Sequence, residues 1–423
     1  MGLMSEPRWS LDSGQALLIA IIGFGGCTGD GLTNKASLTH VDTLGNGAVV
    51  VSNDSLGIWT GVDRWSLHVD LTIGGADAVG PHAIGQIGGV QVDSLGRIWV
   101  VDRSLPEIRV FAPDGSYLRT IGRPGAGPGE FRSIAGIYFG PDASLWVEDT
   151  RLRRIEVFDT SGNRIAGFPT NDQSARITAE AVWIHSDTLY RLLPGMSSGE
   201  RYTLPNGLSV TVGVATNLVR YRSNELGLIP IDTLALPELT RAPTVVVSTN
   251  YDEAAIVPYA GPIPYSDAAD LTLGPLGDIW IKEGNGRYAI RGQRIDGDTL
   301  LIIRRVVRPI SLPDSTLDRI RKMVAGGTVF GPWNSPEDFP PIHSLYPGID
   351  GTLWVRRQTG IESYSFDVFN QDGIFLGTPS LEVGPHEEGF RLRVVTTDAL
   401  YGISRDTFGV DYVVRFRVDK PEF

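Results

Sequence analysis

The chain contains 423 residues, of which 42% are hydrophobic and 20% charged, and it carries a formal net charge of −12 at pH 7 with a pI near 5.0. This composition is typical of a folded protein and excludes a disordered one, while the length is greater than one ordinary compact core holds. The acidic balance argues against nucleic acid as a partner and against docking on anionic lipid headgroups, because both interactions need basic surface.

An apolar run directly precedes the single cysteine, Cys27, close to the start of the chain. The run, from Ala16 to Gly26, is too short for a membrane span and has the length of the apolar region of a secretory signal. Its last residues, Phe24-Gly25-Gly26, resemble with Cys27 a bacterial lipobox, in which the cysteine is lipidated and becomes the new N-terminus after cleavage. An uncleaved anchor and an ordinary cleaved signal are the alternatives.

This resemblance to a lipobox sets the predicted boundaries and the predicted location. Residues 1–27 are expected to form the signal peptide, with cleavage before Cys27, and residues 28–37 a flexible tether. The mature protein is expected in the bacterial cell envelope, lipid-anchored and facing the periplasm or the cell surface. Residues 38–423 are left for the folded domain.

The folded part of the chain repeats a unit of four predicted strands. The clearest copy runs from Gly88 to Gly122, and the next runs from Ala135 to Gly167. Each copy has an apolar strand, a turn, a second strand with an aromatic residue, a polar turn, a strand ending in Val-Phe, and a last strand after a Gly-containing turn. A unit of this kind cannot bury both of its faces alone and has to stack on copies of itself.

The aromatic residue of the second strand counts the units. It occurs at six positions, which are Trp99, Trp146, Tyr190, Trp280, Trp354 and Tyr401. Six units predict an all-β fold, a six-bladed β-propeller. The N-terminal segments 39–54 and 65–75 are expected to pair with the C-terminal strands between Val394 and Val418 and to complete the sixth blade. The reason is that an open ring would leave unpaired backbone groups at two sheet edges.

The two longer intervals between the aromatic positions need insertions. Extended hairpins between Gly199 and Leu239 are expected to complete the third blade. The second insertion contains the one predicted helix, between Leu312 and Gly327, with a cap at Asp314 or Ser315. Its apolar face and its end are predicted at Leu317, Ile320, Val324 and Gly326.

The first repeat resembles the NHL-type repeat of six-bladed propellers. The resemblance is carried by Trp99 to Asp102, Arg109 to Phe111, Asp114-Gly115 and Gly127 to Phe131. It implies the fold more than the function, because NHL-like propellers include protein-interaction platforms, RNA binders with basic faces, and lyases or lactonases with a metal in the central channel. The aspartates that end the second strands, Asp102 and Asp149, are predicted to cap the following turns.

Ligands of propellers usually bind at the mouth of the channel, on loops that join the last strand of one blade to the first strand of the next. The candidate ligand-binding residues on these loops are His82, Glu130, Arg132, Arg176, Glu180, Asp270, Trp333, His343, Glu387, Arg391 and Arg393. For Glu130 and Arg132 the alternative is a structural role in a tight connection between blades. For Glu180 and Asp270 the alternative is a channel metal that they hold together with a histidine.

The sequence favours a binding function over catalysis. No Gly-x-Ser-x-Gly nucleophile elbow occurs, and Cys27 belongs to the signal. We therefore expect a tethered propeller that binds a protein, peptide or glycan at its rim or channel mouth, without a cofactor, a metal or nucleic acid. A metal-dependent hydrolase or lyase with its site in the channel is the alternative.

Overall fold

A computed structural model describes most of the chain after the predicted tether. The described residues are 39–59, 61–140, 142–170, 181–185, 188–194, 200–203, 209–212, 216–224, 227–234, 244–251, 255–295, 299–330, 334–381 and 390–421. The predicted signal peptide, the tether and Cys27 lie outside these residues. No helix in the described part is both long and apolar enough to cross a membrane.

Three strands precede the first complete repeat, and two four-stranded antiparallel blades follow. The N-terminal elements are β1 (Thr39–Thr43), β2 (Val49–Asn53), β3 (Ser66–Gly74) and a 3₁₀ turn at Gly80–His82. The first blade is β4 (Ile87–Val92), β5 (Ile98–Asp102), β6 (Glu107–Phe111) and β7 (Tyr117–Ile121). The second blade is β8 (Ile134–Phe139), β9 (Leu145–Asp149), β10 (Arg154–Phe158) and β11 (Arg164–Pro169).

The third and fourth blades carry insertions. The next elements are β12 (Ala181–His185), β13 (Thr188–Pro194), β14 (Glu200–Thr203), β15 (Ser209–Val212), β16 (Thr216–Asn224), β17 (Gly227–Leu234), β18 (Thr244–Tyr251) and β19 (Ala255–Pro262). Strands β12, β13, β16 and β17 form the third blade, and β14 pairs with β15 in a separate hairpin. The fourth blade is β20 (Asp270–Leu273), β21 (Asp278–Lys282), β22 (Ala289–Arg294) and β23 (Thr299–Arg305).

The fifth and sixth blades follow the helix. The remaining elements are α1 (Asp314–Ala325), β24 (Thr328–Phe330), β25 (Ser344–Pro347), β26 (Leu353–Gln358), β27 (Tyr364–Phe369), β28 (Phe375–Gly377), β29 (Ser380–Leu381), β30 (Arg391–Val395), β31 (Ala399–Arg405) and β32 (Asp411–Asp419). Strands β25 to β28 form the fifth blade, and β30, β31, β32 and β3 form the sixth.

The innermost strands of the six blades form a closed ring. Strands β4, β8, β12, β20, β25 and β30 each contact the next, and β30 contacts β4. The fold is therefore the predicted six-bladed propeller, and every predicted aromatic position lies in the second strand of its blade. Trp99 and Trp354 are both only 1% exposed, because each packs in a cluster shared with a neighbouring blade.

The sixth blade is made from both ends of the folded domain. Strand β3 pairs antiparallel with β32, from Leu67 opposite Val418 to Gly74 opposite Tyr412. The prediction for the more N-terminal segment 39–54 is wrong, because β2 pairs in parallel with β23 on the outer edge of the fourth blade. The physical reason is that β3 alone fills the fourth position of the sixth blade, while the edge of β23 would otherwise stay unpaired.

Residues 39–65, which we call the N-terminal belt, run along the rim from the fourth blade to the sixth. After β2 the belt crosses the edge of the fifth blade, where the backbone N–H groups of Ile58 and Trp59 donate to the carbonyls of Phe375 and Leu376. The belt therefore covers the edges of two blades before it reaches β3. Exposed backbone groups of the outer strands are paired in this way.

The two insertions meet in one small layer, which we call the cap. It consists of the sheet of β18, β19 and β24 together with α1. Its core contains Val245 and Ile320, with Leu317 and Val324 packed against them, so the predicted apolar face of the helix is confirmed. The predicted N-terminal capping residue of the helix, Asp314 or Ser315, is wrong. The helix starts after Pro313, which makes no side-chain capping bond, and both predicted residues already lie in the first helical turn.

Candidate functional site

A cavity of about 360 Å³ lies where the innermost strands of the fourth, fifth and sixth blades begin. We call it the channel cavity. Four of the residues predicted from the sequence line it, and these are Asp270, His343, Arg391 and Arg393. They meet because Asp270 and Arg391 are the first residues of β20 and β30, and His343 directly precedes β25. These residues come together because the inner strands of neighbouring blades start close to one another in the ring, and no sequence motif is needed to bring them there.

A β-bulge determines the position of Arg393. The register between β30 and β31 shifts between Leu392 and Val394, so that Arg393 is the extra residue. The inner strands of the first and second blades have the same shift, around Gly88 and Ala135. A bulge redirects a side chain and recurs near binding sites. The sixth blade therefore has a long cation at a position where two other blades have small residues.

Of the three arginines in the channel cavity, Arg356 and Arg393 have no carboxylate partner within the described residues, and Arg391 shares its one partner with another arginine. Arg391 lies 3.7 Å from the carboxylate of Asp411, which also pairs with another arginine at 2.9 Å. Arg356 donates to the carbonyl of Phe390 at 3.2 Å and lies over the ring of Tyr364 at 4.3 Å. For Arg393 the described residues offer no ion-pair partner at all. Against these cations the described lining has one carboxylate, Asp270.

The electrostatics of Arg393 show how the cations crowd together. Its pKa is lowered first by desolvation and then by the charge of Arg391; Tyr346 opposes this shift, and the charge of Arg103 adds a smaller lowering effect. Arg103 follows β5 of the first blade, which is next to the sixth blade in the ring, so the positive charge extends to the neighbouring blade. An anion placed among these groups would relieve the repulsion.

His343 lies at the edge of the same cavity, where its side chain is exposed to solvent. Its Nδ1 is 2.7 Å from the hydroxyl of Ser344, and its backbone N–H donates to the carbonyl of Arg356 at 2.8 Å. Desolvation, followed by the charges of Arg356 and Lys282, lowers the pKa of His343 to about 4. An anion bound nearby would raise that pKa again and couple its binding to proton uptake.

Sequence reasoning missed Arg356 and Lys282, although a signal was present. Both residues stand two positions after the aromatic residue of the second strand, where the first blade has Val101. That position is buried between blades, and Lys282 is only 8% exposed, with its Nζ 3.4 Å from the carbonyl of Ile342. Charged residues at this buried position need polar partners, so aligning the blades on their aromatic residues would have singled them out.

Three other predicted residues lie outside the channel cavity. The Nε2 of His82 is 3.0 Å from the carbonyl of Gly115, and its ring packs 5.2 Å from that of Phe111, so His82 lies outside the channel cavity. Glu130 accepts bonds from two backbone N–H groups of its loop, at 2.8 and 3.0 Å, and from Arg123 at 2.9 Å. The backbone bonds, and then Arg123, lower the pKa of Glu130.

Arg132 keeps an exposed side chain outside the cavity, and its backbone N–H donates to Asp149 at 2.7 Å. The prediction that Asp102 and Asp149 cap turns is confirmed: each accepts bonds from the backbone of the turn that follows its strand. The four remaining predicted residues, Arg176, Glu180, Trp333 and Glu387, lie outside the described residues. Within the described part of the chain, no group of three or more His, Cys, Asp or Glu could hold a metal ion.

One family model agrees with the architecture. The model of the family DUF5128, described as a 6-bladed beta-propeller, matches residues 82–168, which include the first two blades. A solved structure of a Bacteroides fragilis protein for which export is inferred is 12% identical, with a TM-score of 0.48, and the match covers 88% of this chain and all of that one.

Two further solved structures are similar. A member of the duf4221 family from Bacteroides vulgatus is 10% identical, with a TM-score of 0.47 and coverage of 85% of this chain and 99% of that one. A virginiamycin B lyase from Staphylococcus aureus is 11% identical, with a TM-score of 0.39 and coverage of 84% and 99%. No curated protein matches the chain.

Proposed function

We propose that this protein is a binding propeller that takes an anionic group of a protein, peptide or glycan into the channel cavity, without catalysis of its own. The observation that supports the proposal is the convergence of Arg356, Arg391 and Arg393 on one cavity, whose described lining contains a single carboxylate, Asp270. A carboxylate or a phosphate suits these groups, because a planar guanidinium can donate two parallel hydrogen bonds to either.

The charge of the cavity contrasts with that of the whole chain. The net charge is −12, so most of the surface repels an acidic ligand and the channel cavity is a local exception. Clefts with one sign of charge concentrate ligands of the opposite sign. The contrast favours an acidic ligand that is held at this one place and not spread over the disc.

The geometry gives less support to the metal-dependent enzyme that the sequence left open. A divalent cation prefers several oxygen ligands, and the described lining of the channel cavity offers the carboxylate of Asp270. Arg391 and Arg393 would repel a cation at the same place. The same charges attract an anion, so the proposal commits to binding.

The location of the protein is a separate part of the proposal. We infer attachment to the bacterial cell envelope through a lipid on Cys27, supported by the apolar run and the small residues that precede it. Metabolic labelling with a palmitate analogue tests this. The wild-type chain should be labelled and sediment with membranes, whereas the Cys27→Ser variant should be neither; equal labelling of both would refute the anchor.

Isothermal titration of the full chain in detergent tests the anion site. The probes are inorganic phosphate, citrate and a tetraglutamate peptide. Reversal of one charge, in Arg393→Glu or Arg391→Glu, should weaken binding by at least about tenfold, because a hydrogen bond to a charged group contributes about 1.5–3 kcal/mol. The matched control is Arg321→Glu, which makes the same charge change on α1, where Arg321 is paired with Asp318 at 3.2 Å.

The outcomes separate clearly. Binding of at least one probe, weakened by the two channel variants and unchanged by Arg321→Glu, supports the proposal. Binding that all three variants weaken equally would show only a general charge effect and would contradict a specific site. A wild-type chain that binds none of the three probes would contradict it as well.

A further inference from the structure

A second and larger cavity, of about 460 Å³, lies between the loops that flank the elements of the cap and the fourth and fifth blades. We call it the cap cavity. Its volume falls within the range of about 300–1,000 Å³ that is usual for small-molecule sites. It is lined by residues of both insertions and of the fifth blade, among them Tyr265, Asp267, Arg308, Asp338, Phe339 and Arg357. None of them lines the channel cavity.

The two cavities lie on either side of one piece of chain. Pro341 lines the cap cavity and His343, two residues later, lines the channel cavity. Strand β26 shows the same division, with Arg357 in the cap cavity and Arg356 in the channel cavity. Successive residues of a strand point to opposite faces of a sheet, so the fifth blade itself separates the two sites.

The backbone around the cap cavity is held in conformations that few residues adopt. Tyr265 has a φ of 60°, which is unusual for a side chain of this size. Gly284 has a φ of 61°, and a Cβ there would lie 2.0 Å from the backbone nitrogen of Ala269. The strain at Tyr265 persists only where the surroundings enforce it, and strain of this kind concentrates at binding sites.

Some polar groups in the cap cavity have hydrogen-bonding capacity that no described protein group uses. The hydroxyl of Ser266 is buried and has no hydrogen-bond partner. One oxygen of Asp267 accepts from the backbone N–H of Gly286 at 2.6 Å, and burial raises the pKa of its carboxyl. The exposed guanidinium of Arg308 has no ion-pair partner within the described residues. A buried hydroxyl without a partner is costly, and a ligand hydroxyl would satisfy it.

The charges of the cap cavity balance, in contrast to those of the channel cavity. Its lining combines the cations Arg308 and Arg357 with the carboxylates Asp267 and Asp338. A balanced set of donors and acceptors suits a neutral ligand that has many hydroxyl groups, because carboxylates accept from hydroxyls and guanidiniums donate to them.

One wall of the same cavity is apolar. The rings of Tyr265 and Phe339 pack edge to face, with 5.2 Å between their centres, and Pro336, Pro340 and Pro341 extend the surface. A ligand that fits the whole cavity therefore needs one apolar face and several hydroxyls on its edges. A saccharide ring has both, since its C–H groups cover one face and its hydroxyls the perimeter.

We propose that the cap cavity binds a neutral saccharide. This site is separate from the anion site, and the proposal does not rest on the proposed function. Ser266, Asp267 and Arg308 supply the polar contacts, and Tyr265 with Phe339 supplies the apolar wall.

Saturation-transfer NMR and calorimetry on the full chain test this, with maltose, cellobiose, lactose and chitobiose as probes at up to about 10 mM. The informative variant is Ser266→Ala. Because it removes a buried hydroxyl without a partner, it should leave the thermal midpoint unchanged or raised while weakening saccharide binding by about tenfold. Arg308→Ala should weaken binding similarly. The matched control, Ser161→Ala, makes the same change at an exposed turn of the second blade and should have no effect.

Further arms keep the two sites apart. Arg393→Glu, which disables the anion site, and an excess of citrate should both leave saccharide binding unchanged. Absence of binding for all four saccharides, unchanged binding by Ser266→Ala, or displacement by citrate would each overturn the proposal. Binding of a tetra-alanine peptide in place of the saccharides would overturn it too, since the cavity would then recognise a peptide. Loss of the anion site alone would leave this inference standing.

Discussion

Replacement of Asn53 tests how the N-terminal belt holds the ring together. Asn53 is 3% exposed and is the last residue of β2. Its side-chain amide donates to the carbonyls of Arg304 at 3.3 Å and Gly373 at 3.0 Å, and its oxygen accepts from the N–H of Phe375 at 2.8 Å. One side chain therefore joins the belt to the fourth and fifth blades.

The Asn53→Ala variant leaves a buried backbone N–H without its partner and removes bonds from two carbonyls. A buried donor without a partner costs about 1–3 kcal/mol, and the lost bonds and the space left by the amide add to this. We expect a loss of about 2–4 kcal/mol in the free energy of unfolding, which is a large share of the roughly 5–15 kcal/mol that stabilises a folded protein.

Denaturant unfolding, followed by tryptophan fluorescence, measures this loss. The matched control is Asn46→Ala in the same hairpin, where a single bond of 3.2 Å to the N–H of Ala48 lies in an exposed turn. The control should lose about 0.5 kcal/mol or less. If Asn53→Ala and Asn46→Ala unfold at the same denaturant concentration as the wild type, the bonds of Asn53 between the belt and the blades do not stabilise the fold, which would refute the prediction.

Three further predictions concern a glycine, an aspartate and a histidine. The Gly284→Ala variant should lose more than about 2 kcal/mol in the free energy of unfolding, because its Cβ would clash with backbone atoms. Gly286 also has a positive φ but faces open space, so Gly286→Ala should lose about 1 kcal/mol, and thermal unfolding compares the two variants. Asp149→Ala should lose about 3 kcal/mol or more in the same assay, since the fully buried carboxylate accepts from four backbone N–H groups, and an unchanged midpoint would contradict its role as a cap. Sulfate should bind more tightly as the pH falls from about 6.5 towards 4, because protonation of His343 adds a positive charge while the charge of sulfate stays constant. In calorimetry the His343→Gln variant should show a weaker dependence of sulfate binding on pH, and an equally steep dependence would contradict the role of His343.

The lowered pKa of His343 also makes the stability of the folded protein depend on pH. Its pKa is about 4 in the folded protein against 6.5 for an ordinary histidine, so the unfolded chain binds more protons between these values. Stability conferred by the neutral imidazole is complete above about pH 6.5 and is lost as the pH falls towards 4. Binding and stability thus respond to acid in opposite directions at this residue.

The number of blades could be predicted because each blade is a local unit. Trp99 and its five counterparts recur with the strand pattern, and stacking of such units leaves few other folds. The position of β2 could not be predicted in the same way. It pairs in parallel with β23, with Asn53 opposite Arg305, although the two strands lie far apart in the sequence. Neither strand has a sequence pattern that identifies the other as its partner.

The candidate site was predictable where topology alone brings residues together. Asp270, His343, Arg391 and Arg393 lie at the starts of inner strands, which the ring forces to converge. His82 and Glu130 lie outside the channel cavity, where each bonds to nearby protein groups. A polar side chain on a tight loop finds backbone groups within reach, such as the carbonyl of Gly115 for His82, and loop position alone does not reveal such bonds.

The central claim is that an anion binds among Arg356, Arg391 and Arg393 in the channel cavity. A crystal structure of the full chain soaked in selenate tests it most directly, because selenium can be located by its anomalous scattering. The account predicts a selenate in the channel cavity within hydrogen-bond distance of at least two of these guanidinium groups. Anomalous peaks confined to the outer surface, with the channel cavity empty, would contradict it.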